Sequence, residues 1–160
     1  MTGQEEVRWE YERVALGQRG PDLTINVTED LIKEYATAVR HVDSDDGRST
    51  GEVMMGLPTM AIRVAPLRRH DIASNNGFVS LEKASIEPRQ TPFAKCEVRW
   101  FNPVRAGDAI TSYGEVVDKY ERRGNKFVTF RIRANNQEGK KITEYDYTCI
   151  FEYAKGQKTA

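Results

Sequence analysis

Residues 93–153 constrain the fold more than any other part of the chain, because they read as four long strands. In Phe93-Ala94-Lys95-Cys96-Glu97-Val98-Arg99-Trp100-Phe101 the apolar Cys96, Val98 and Trp100 alternate with Lys95, Glu97 and Arg99. A period of two is the pattern of a strand with one covered face and one wet face. Asn102-Pro103 ends this strand and Gly107-Asp108 reverses the chain. Residues 109–121 then run out, Arg122-Arg123-Gly124-Asn125 turns, and residues 126–135 return with Val128, Phe130, Ile132 and Ala134 on one face. After a turn at Asn136-Gln137-Glu138-Gly139, the last strand places Tyr145, Tyr147, Cys149, Phe151 and Tyr153 on one side. Such an aromatic stripe needs a large apolar partner.

A meander of this length requires a second layer, since each sheet face must be buried against something. The first half of the chain supplies helices. Thr28, or Asn26 with Glu29 as its capping-box partner, opens a helix in which Leu31, Tyr35, Ala38 and Val39 recur at helical spacing. Glu29 and Asp30 occupy its first turn, where the dipole favours acids. Residues 56–65 form the least polar window, with Pro58 suited to a first helical position and Pro66 set to end the run. This window predicts a short buried helix.

At 160 residues and 18.2 kDa the chain is expected to form one domain, residues 1–160, with a core that needs no staples. Lys plus Arg and Asp plus Glu both number 24, so nothing in the charge balance recruits nucleic acid or an anionic membrane. Met1-Thr2-Gly3-Gln4-Glu5-Glu6 is polar and acidic, and no apolar run approaches the ~20 residues of a membrane span. The expectation is a soluble, unexported, cytoplasmic protein. Cys96 and Cys149 fall at inward strand positions and read as two reduced core thiols. With two His and two Cys in all, a zinc site lacks ligands, and no metal or resident cofactor is expected. There is no Gly-x-Ser-x-Gly elbow and no glycine-rich phosphate loop, which disfavours covalent acyl transfer.

Residues 68–92 are the least regular stretch, broken by His70-Asp71, Asn75-Asn76-Gly77, Pro88 and Pro92, although Phe78-Val79-Ser80-Leu81 suits a short strand. A second irregular stretch, residues 41–51, is dense in Asp and Ser and follows the first helix directly.

Taken in order, an N-terminal strand with a Gly-containing turn, a capped helix, an acidic loop, a short buried helix and a long antiparallel block resemble the hot-dog fold. The similarity is to its MaoC-like branch, which includes (R)-specific enoyl-CoA hydratases and fatty-acid-synthase-type 3-hydroxyacyl-thioester dehydratases. It rests on Val27-Thr28-Glu29-Asp30-Leu31-Ile32-Lys33-Glu34-Tyr35-Ala36 for the helix, Phe101-Asn102-Pro103-Val104-Arg105-Ala106-Gly107-Asp108 for the junction, and Asn135-Asn136-Gln137-Glu138-Gly139 for the last hairpin. The resemblance implies an α+β fold in which a long antiparallel sheet wraps a central helix. It also implies an acyl-CoA or acyl-carrier-protein thioester as substrate, and pairing with a second hot-dog chain as homodimer or heterodimer.

Activity in that family rests on a loop after the first helix that reads roughly Gly-Asp-x-Asn-Pro-x-His. Its Asp and His act on one water and on the alpha carbon of the thioester, while a backbone amide at the start of the central helix holds the enolate-like oxygen. Aligned on Tyr35-Ala36-Thr37-Ala38, this chain has Arg40 for the Gly, His41 for the Asp, Asp43 for the Asn, Ser44 for the Pro and Asp46 for the His. The two chemical types are kept in exchanged places. One reading makes His41 and Asp46, with Asp43, a transposed acid/base pair, because a neutral imidazole takes or gives protons at neutral pH and a carboxylate fixes its tautomer. The other makes the loop a solvated acidic cap and the chain a non-catalytic subunit that shapes the acyl tunnel for a partner. A third is a hot-dog thioesterase with Asp43, Asp46 or Glu52 as base. In each, Gly56, Leu57 and Thr59 supply substrate-binding amides at the head of the central helix.

The remaining candidates have ordinary explanations beside functional ones. Arg63, in the middle of an apolar helix, should be buried and either paired or aimed at an anionic substrate group. His70 in a polar loop reads as surface. Asp108 sits where Asp bonds its own turn and reads as structural. Arg99, Arg105, Arg122 and Arg123 suit phosphate geometry but occupy strands and turns where exposed Arg is common.

Overall fold

Arg123 and Gly124 close the tightest connection of the chain, and both have positive φ, 52° and 78°. That pair of conformations matches the right-handed twist of two strands joined by a two-residue loop. Gly124 has a second constraint, since a Cβ there would stand 2.9 Å from the Cβ of Ala154. The hairpin joins β3 (Ala109–Arg122) to β4 (Asn125–Asn135), and residues 136–140 join β4 to β5 (Lys141–Glu152). In the second turn the Asn136 side-chain oxygen accepts from the amides of Glu138 and Lys140, both at 3.0 Å.

The structure is a computed structural model that describes residues 5–41 and 53–156. Before the hairpins come β1 (Leu23–Asn26), α1 (Glu29–Ala38), α2 (Met60–Val64), α3 (Arg69–Asn75) and β2 (Phe93–Trp100), with single 3-10 turns at Tyr11–Arg13 and Leu81–Lys83. All five strands form one antiparallel sheet in the order β1-β3-β4-β5-β2. The α+β class is therefore as the sequence indicates, with helices against one sheet face. Among the described residues no helix is long and apolar enough to cross a membrane.

The four-strand meander expected for residues 93–153 holds only for β3, β4 and β5. β2 does not pair with β3; it lies at the far edge beside β5, with Trp100 opposite Thr143 and Cys96 opposite Tyr147. The reason lies in the junction at residues 101–108, which forms bonds of its own. Gly56 donates to the carbonyl of Val104 and Ala106 to that of Met54, both at 2.8 Å; Gly107 and Val27 exchange a further pair, through the carbonyls of Val27 and Asp108. One short segment thus anchors both the entry to α1 and the approach to α2. Asp108, buried, locks the turn by accepting from the Arg105 amide at 2.9 Å and from Gln137 at 3.1 Å, the structural role its position indicates.

The inner face is built from Val128, Phe130, Ile132 and Ala134 of β4 and from Tyr145, Cys149 and Phe151 of β5, all buried. Trp9, absent from the sequence argument, completes this core, with ring centroids 5.9 Å from Phe130 and 5.8 Å from Phe151. The outer face is ionic. Arg131 grips Asp146 with two bonds of 2.7 and 2.9 Å and holds its carboxyl below the usual range. Arg133 pairs with Glu115, and Arg99 reaches Glu144 at 3.1 Å. These partly exposed pairs contribute little each, but they keep the face wet.

Several expectations fail for identifiable reasons. Cys149 is buried, its thiol pushed up to about 11 by burial, but Cys96 is exposed, because β2 is an edge strand that pairs only with β5 among the described residues. Residues 68–92 contain α3, which the sequence does not announce: it has no side-chain cap and is held by the burial of Ile72 and Ala73. His70 lies on that helix, half-buried rather than on the surface, with Nδ1 2.5 Å from Ser80 Oγ and its pKa lowered mainly by burial. Of residues 78–81, only Val79 makes a bridge, to Arg8.

Candidate active site

α1 begins as its sequence dictates. Thr28 is the N-cap and its hydroxyl accepts from the Leu31 amide at 3.1 Å, with Glu29 and Asp30 in the first turn. The other end determines where the acid/base loop starts. Val39 is the C-cap, Arg40 adopts φ 55°, the Arg40 amide donates to the Thr37 carbonyl at 3.0 Å, and the His41 amide donates to the Ala36 carbonyl at 2.9 Å. Those two bonds around a left-handed residue constitute a Schellman cap. The position where the resembling family carries glycine is the left-handed one. Arg40 holds the same turn without glycine's freedom, a conformation that costs L-residues about 1–2 kcal/mol. Arg40→Gly is accordingly expected to raise stability by about 1 kcal/mol, read as a higher urea midpoint at unchanged slope; a lower midpoint would contradict the assignment.

The cap fixes His41 at the mouth of the loop, exposed, just past the last turn of α1. Its proposed partners Asp43 and Asp46, and Glu52 of the thioesterase reading, lie outside the described residues. Across from this end stands the approach to α2. Tyr35 Oη donates to Thr59 Oγ1 at 2.8 Å, so the last turns of α1 are tied to the residue preceding α2. Neither the pairing nor its reach over 24 residues is visible in the sequence, where Tyr35 reads only as part of an apolar stripe.

α2 is shorter than the window at residues 56–65 suggests. Pro58 and Thr59 form a turn and the helix proper is Met60–Val64, too short for a macrodipole argument. The substrate-binding residues divide accordingly. The Gly56 amide is already engaged by Val104, and a Cβ at Gly56 would meet Met60 Sδ at 2.8 Å, so this glycine serves a close approach of backbone and core. Leu57 and Thr59 differ: among the described residues their amides have no acceptor. Leu57 and Gly56 line a groove of about 210 Å³ together with Pro58, Ala61, Trp100 and Phe101. Trp100 Nε1 donates to the Pro58 carbonyl at 2.7 Å and fixes the indole as one wall.

Arg63 departs from expectation. It faces solvent on α2 rather than being buried, because the inward positions of this helix are Met60, Ala61 and Val64. Among the described residues no cluster of His, Cys, Asp and Glu has the geometry to hold a metal ion. The described part of the site is thus a helix end tied to a turn whose Leu57 and Thr59 amides have no acceptor among the described residues, with an apolar wall beside that turn.

Comparison with known proteins bears on the fold and the family. The model of the FAS1-like dehydratase domain region matches residues 15–145. A UPF0336 protein of Saccharopolyspora erythraea is 25% identical over 136 residues, 81% of this chain and 83% of the relative. Among solved structures, the unliganded R-hydratase PhaJ1 of Pseudomonas aeruginosa superposes with a TM-score of 0.61 at 17% identity, covering 94% of this chain and 95% of that one. The HadBC 3R-hydroxyacyl-ACP dehydratase complex of Mycobacterium tuberculosis gives a TM-score of 0.56 at 18% identity, covering 83% of this chain and 96% of that one. With its five-stranded antiparallel sheet and helix-lined inner face, the chain belongs to the FAS1-like dehydratase-domain family, among the MaoC-like hot-dog proteins.

Proposed function

We propose that the protein is an acyl-thioester hydro-lyase that reversibly hydrates a 2-enoyl-CoA or dehydrates the matching 3-hydroxyacyl thioester. The observation that carries this reading is the pairing of the α1 terminus, which holds His41, with the Leu57-Thr59 turn through the Tyr35 bond to Thr59. The thioester carbonyl lies against the Leu57 and Thr59 amides, which take up negative charge as it develops on oxygen. His41 removes a proton from water as the water oxygen bonds to C3, and Asp46 delivers a proton to C2. The imidazolium then returns its proton to the carboxylate, so that one water is consumed and the site is restored; Asp43 is the further acid of this motif in the sequence. Groove residues from Leu57 to Phe101 exclude bulk water. Arg63 is exposed on α2, and in this reading it meets the anionic end of the thioester's carrier. The test is to incubate the purified protein with a panel of enoyl-CoA esters and follow loss of the conjugated thioester absorbance.

One observation favours a second reading. Arg40 stands in the left-handed position and His41 follows it, so the loop opens with neither residue of the family motif. A chain of this kind serves as the non-catalytic half of a pair, binding the acyl chain beside a partner with an intact Asp and His. Hydration appearing only after such a partner is added would establish this reading in place of the first.

Both readings share an assembly. β2 is an unpaired edge, every residue in it is at least partly exposed, and Phe93, Trp100, Phe101 and Ile62 line the same flank with 56, 50, 47 and 38% of their surface open. An open edge of eight residues flanked by large exposed apolar side chains is the pairing surface in this reading, with Lys95, Glu97 and Arg99 on its other face. We expect a dimer through β2, sedimenting at about twice 18.2 kDa at micromolar concentration. An 18.2 kDa species alone would count against homodimerisation and leave only pairing with a different chain.

A further inference from the structure

A second groove, of about 510 Å³, lies further along α2, between Ile62, Pro66 and Leu67 on one side and Phe93, Cys96, Tyr145 and Tyr147 on the other. Its walls are apolar apart from one cation, Arg69. Phe93 and Tyr147 pack with centroids 5.0 Å apart, and Tyr145 turns its hydroxyl away to donate to the Ala65 carbonyl at 2.6 Å. The guanidinium is thus the strong polar group of this groove, and it requires a reason for being there.

Its structural duties fall on one nitrogen. Nη1 donates to the Thr91 carbonyl at 2.7 Å and to Thr91 Oγ1 at 2.5 Å, and it lies 3.2 Å from the buried Cys149 Sγ. Glu82, largely buried, stands 3.6 Å from the same nitrogen and offsets the positive charge. Nε and Nη2 donate to no described residue. A loop anchor at Thr91 needs only one donor, which a lysine would also supply; a planar fork with spare N–H groups in an apolar groove is fitted to accept a further oxygen.

We propose that Arg69 is a specificity-determining residue that selects acyl chains bearing an uncharged oxygen, a hydroxyl or a carbonyl, away from the thioester. This rests on the acyl-thioester reading above. The chain runs from the Leu57-Thr59 turn along α2, its hydrocarbon against Ile62, Leu67 and Phe93, and its distal oxygen accepts from Arg69. A carboxylate at that point is disfavoured, because Glu82 already balances the guanidinium and a second negative charge would be uncompensated.

The test measures binding to the full-length protein by calorimetry, so that it does not depend on turnover. The probes are saturated acyl-CoA esters of graded length, each plain, hydroxylated near the chain end or carboxylated there, and the corresponding methyl esters. Expected is a preference of about tenfold for the hydroxylated over the plain chain, the lower end of what a charge-assisted hydrogen bond contributes, in the CoA and methyl series alike. Arg69→Met should abolish the preference while leaving plain-chain affinity in place. Should Arg69→Met fail to fold, Arg69→Lys decides, since it keeps a donor for Thr91 yet should lose most of the preference. Equal affinity for plain and hydroxylated chains, tighter binding of the carboxylated chain, a preference that survives in Arg69→Lys, or no binding of either series would overturn the proposal. A preference seen in methyl esters with no gain from CoA would uphold it while removing the thioester reading.

Discussion

Replacing His41 by alanine is expected to lower the hydration rate roughly 100- to 10,000-fold, the range of general acid-base catalysis, and to leave folding intact. The residue is exposed and past the end of α1, and the cap that positions it uses its backbone amide, which alanine retains. The loss should fall on kcat more than on KM, since the imidazole moves a proton and does not hold the thioester. Asp46→Ala should also lower kcat, since it removes the group that delivers the proton to C2. For the non-catalytic reading the outcome reverses: the isolated protein is inert, and His41→Ala leaves the activity of a complex with a competent partner nearly unchanged. Equal rates for wild type and His41→Ala in an active preparation would remove the catalytic assignment.

The largest stability effect is expected at Trp9. Its side chain is 1% exposed, meets Phe130 and Phe151 at the centre of the inner face, and satisfies its Nε1–H on Gln18 at 3.1 Å. Trp9→Ala removes this mass from a site closed by strands that cannot collapse inward, a change that costs about 3–5 kcal/mol. Gln18 would lose one of its links as well, though it still accepts from the Ala15 amide and donates to the Arg13 carbonyl. Urea denaturation of both forms measures the difference, and a loss below about 1 kcal/mol would mean that the N-terminal segment is not part of the core.

The parts of this fold that the sequence reveals are those governed by local rules. Alternation along β4 reports one buried face, and Thr28 followed by Glu29 and Asp30 reports a helix start, because period and capping are properties of neighbouring residues. Partner choice is not local. Nothing in residues 93–100 states that β2 crosses to β5, and the same alternation that suggested a covered face belongs to an edge whose Cys96 and Trp100 are exposed. The helix α3 and the core position of Trp9 depend on tertiary burial in segments with little periodicity. At the candidate site, motif position indicates that His41 follows α1 directly and that residues 57–59 precede α2, and both placements hold. The engagement of the Gly56 amide by Val104, the exposure of Arg63 and the Tyr35 bond to Thr59 are not legible in the sequence, since each depends on which surfaces meet.

The anchoring of the site has a consequence for how its chemistry can change. Residues 42–52 leave from a capped helix end at His41 and arrive at a backbone pairing, where Met54 accepts from Ala106 and Gly56 donates to Val104. Each anchor is a bond between described backbone groups, and the closure entropy of a connecting span depends only weakly on its length. The two anchors are therefore fixed points of the scaffold on either side of the acidic stretch. A change of length or acidity between them leaves the backbone groups of both anchors available, so that variation on one side of the Leu57-Thr59 turn does not by itself remove the bonds that hold that turn in place.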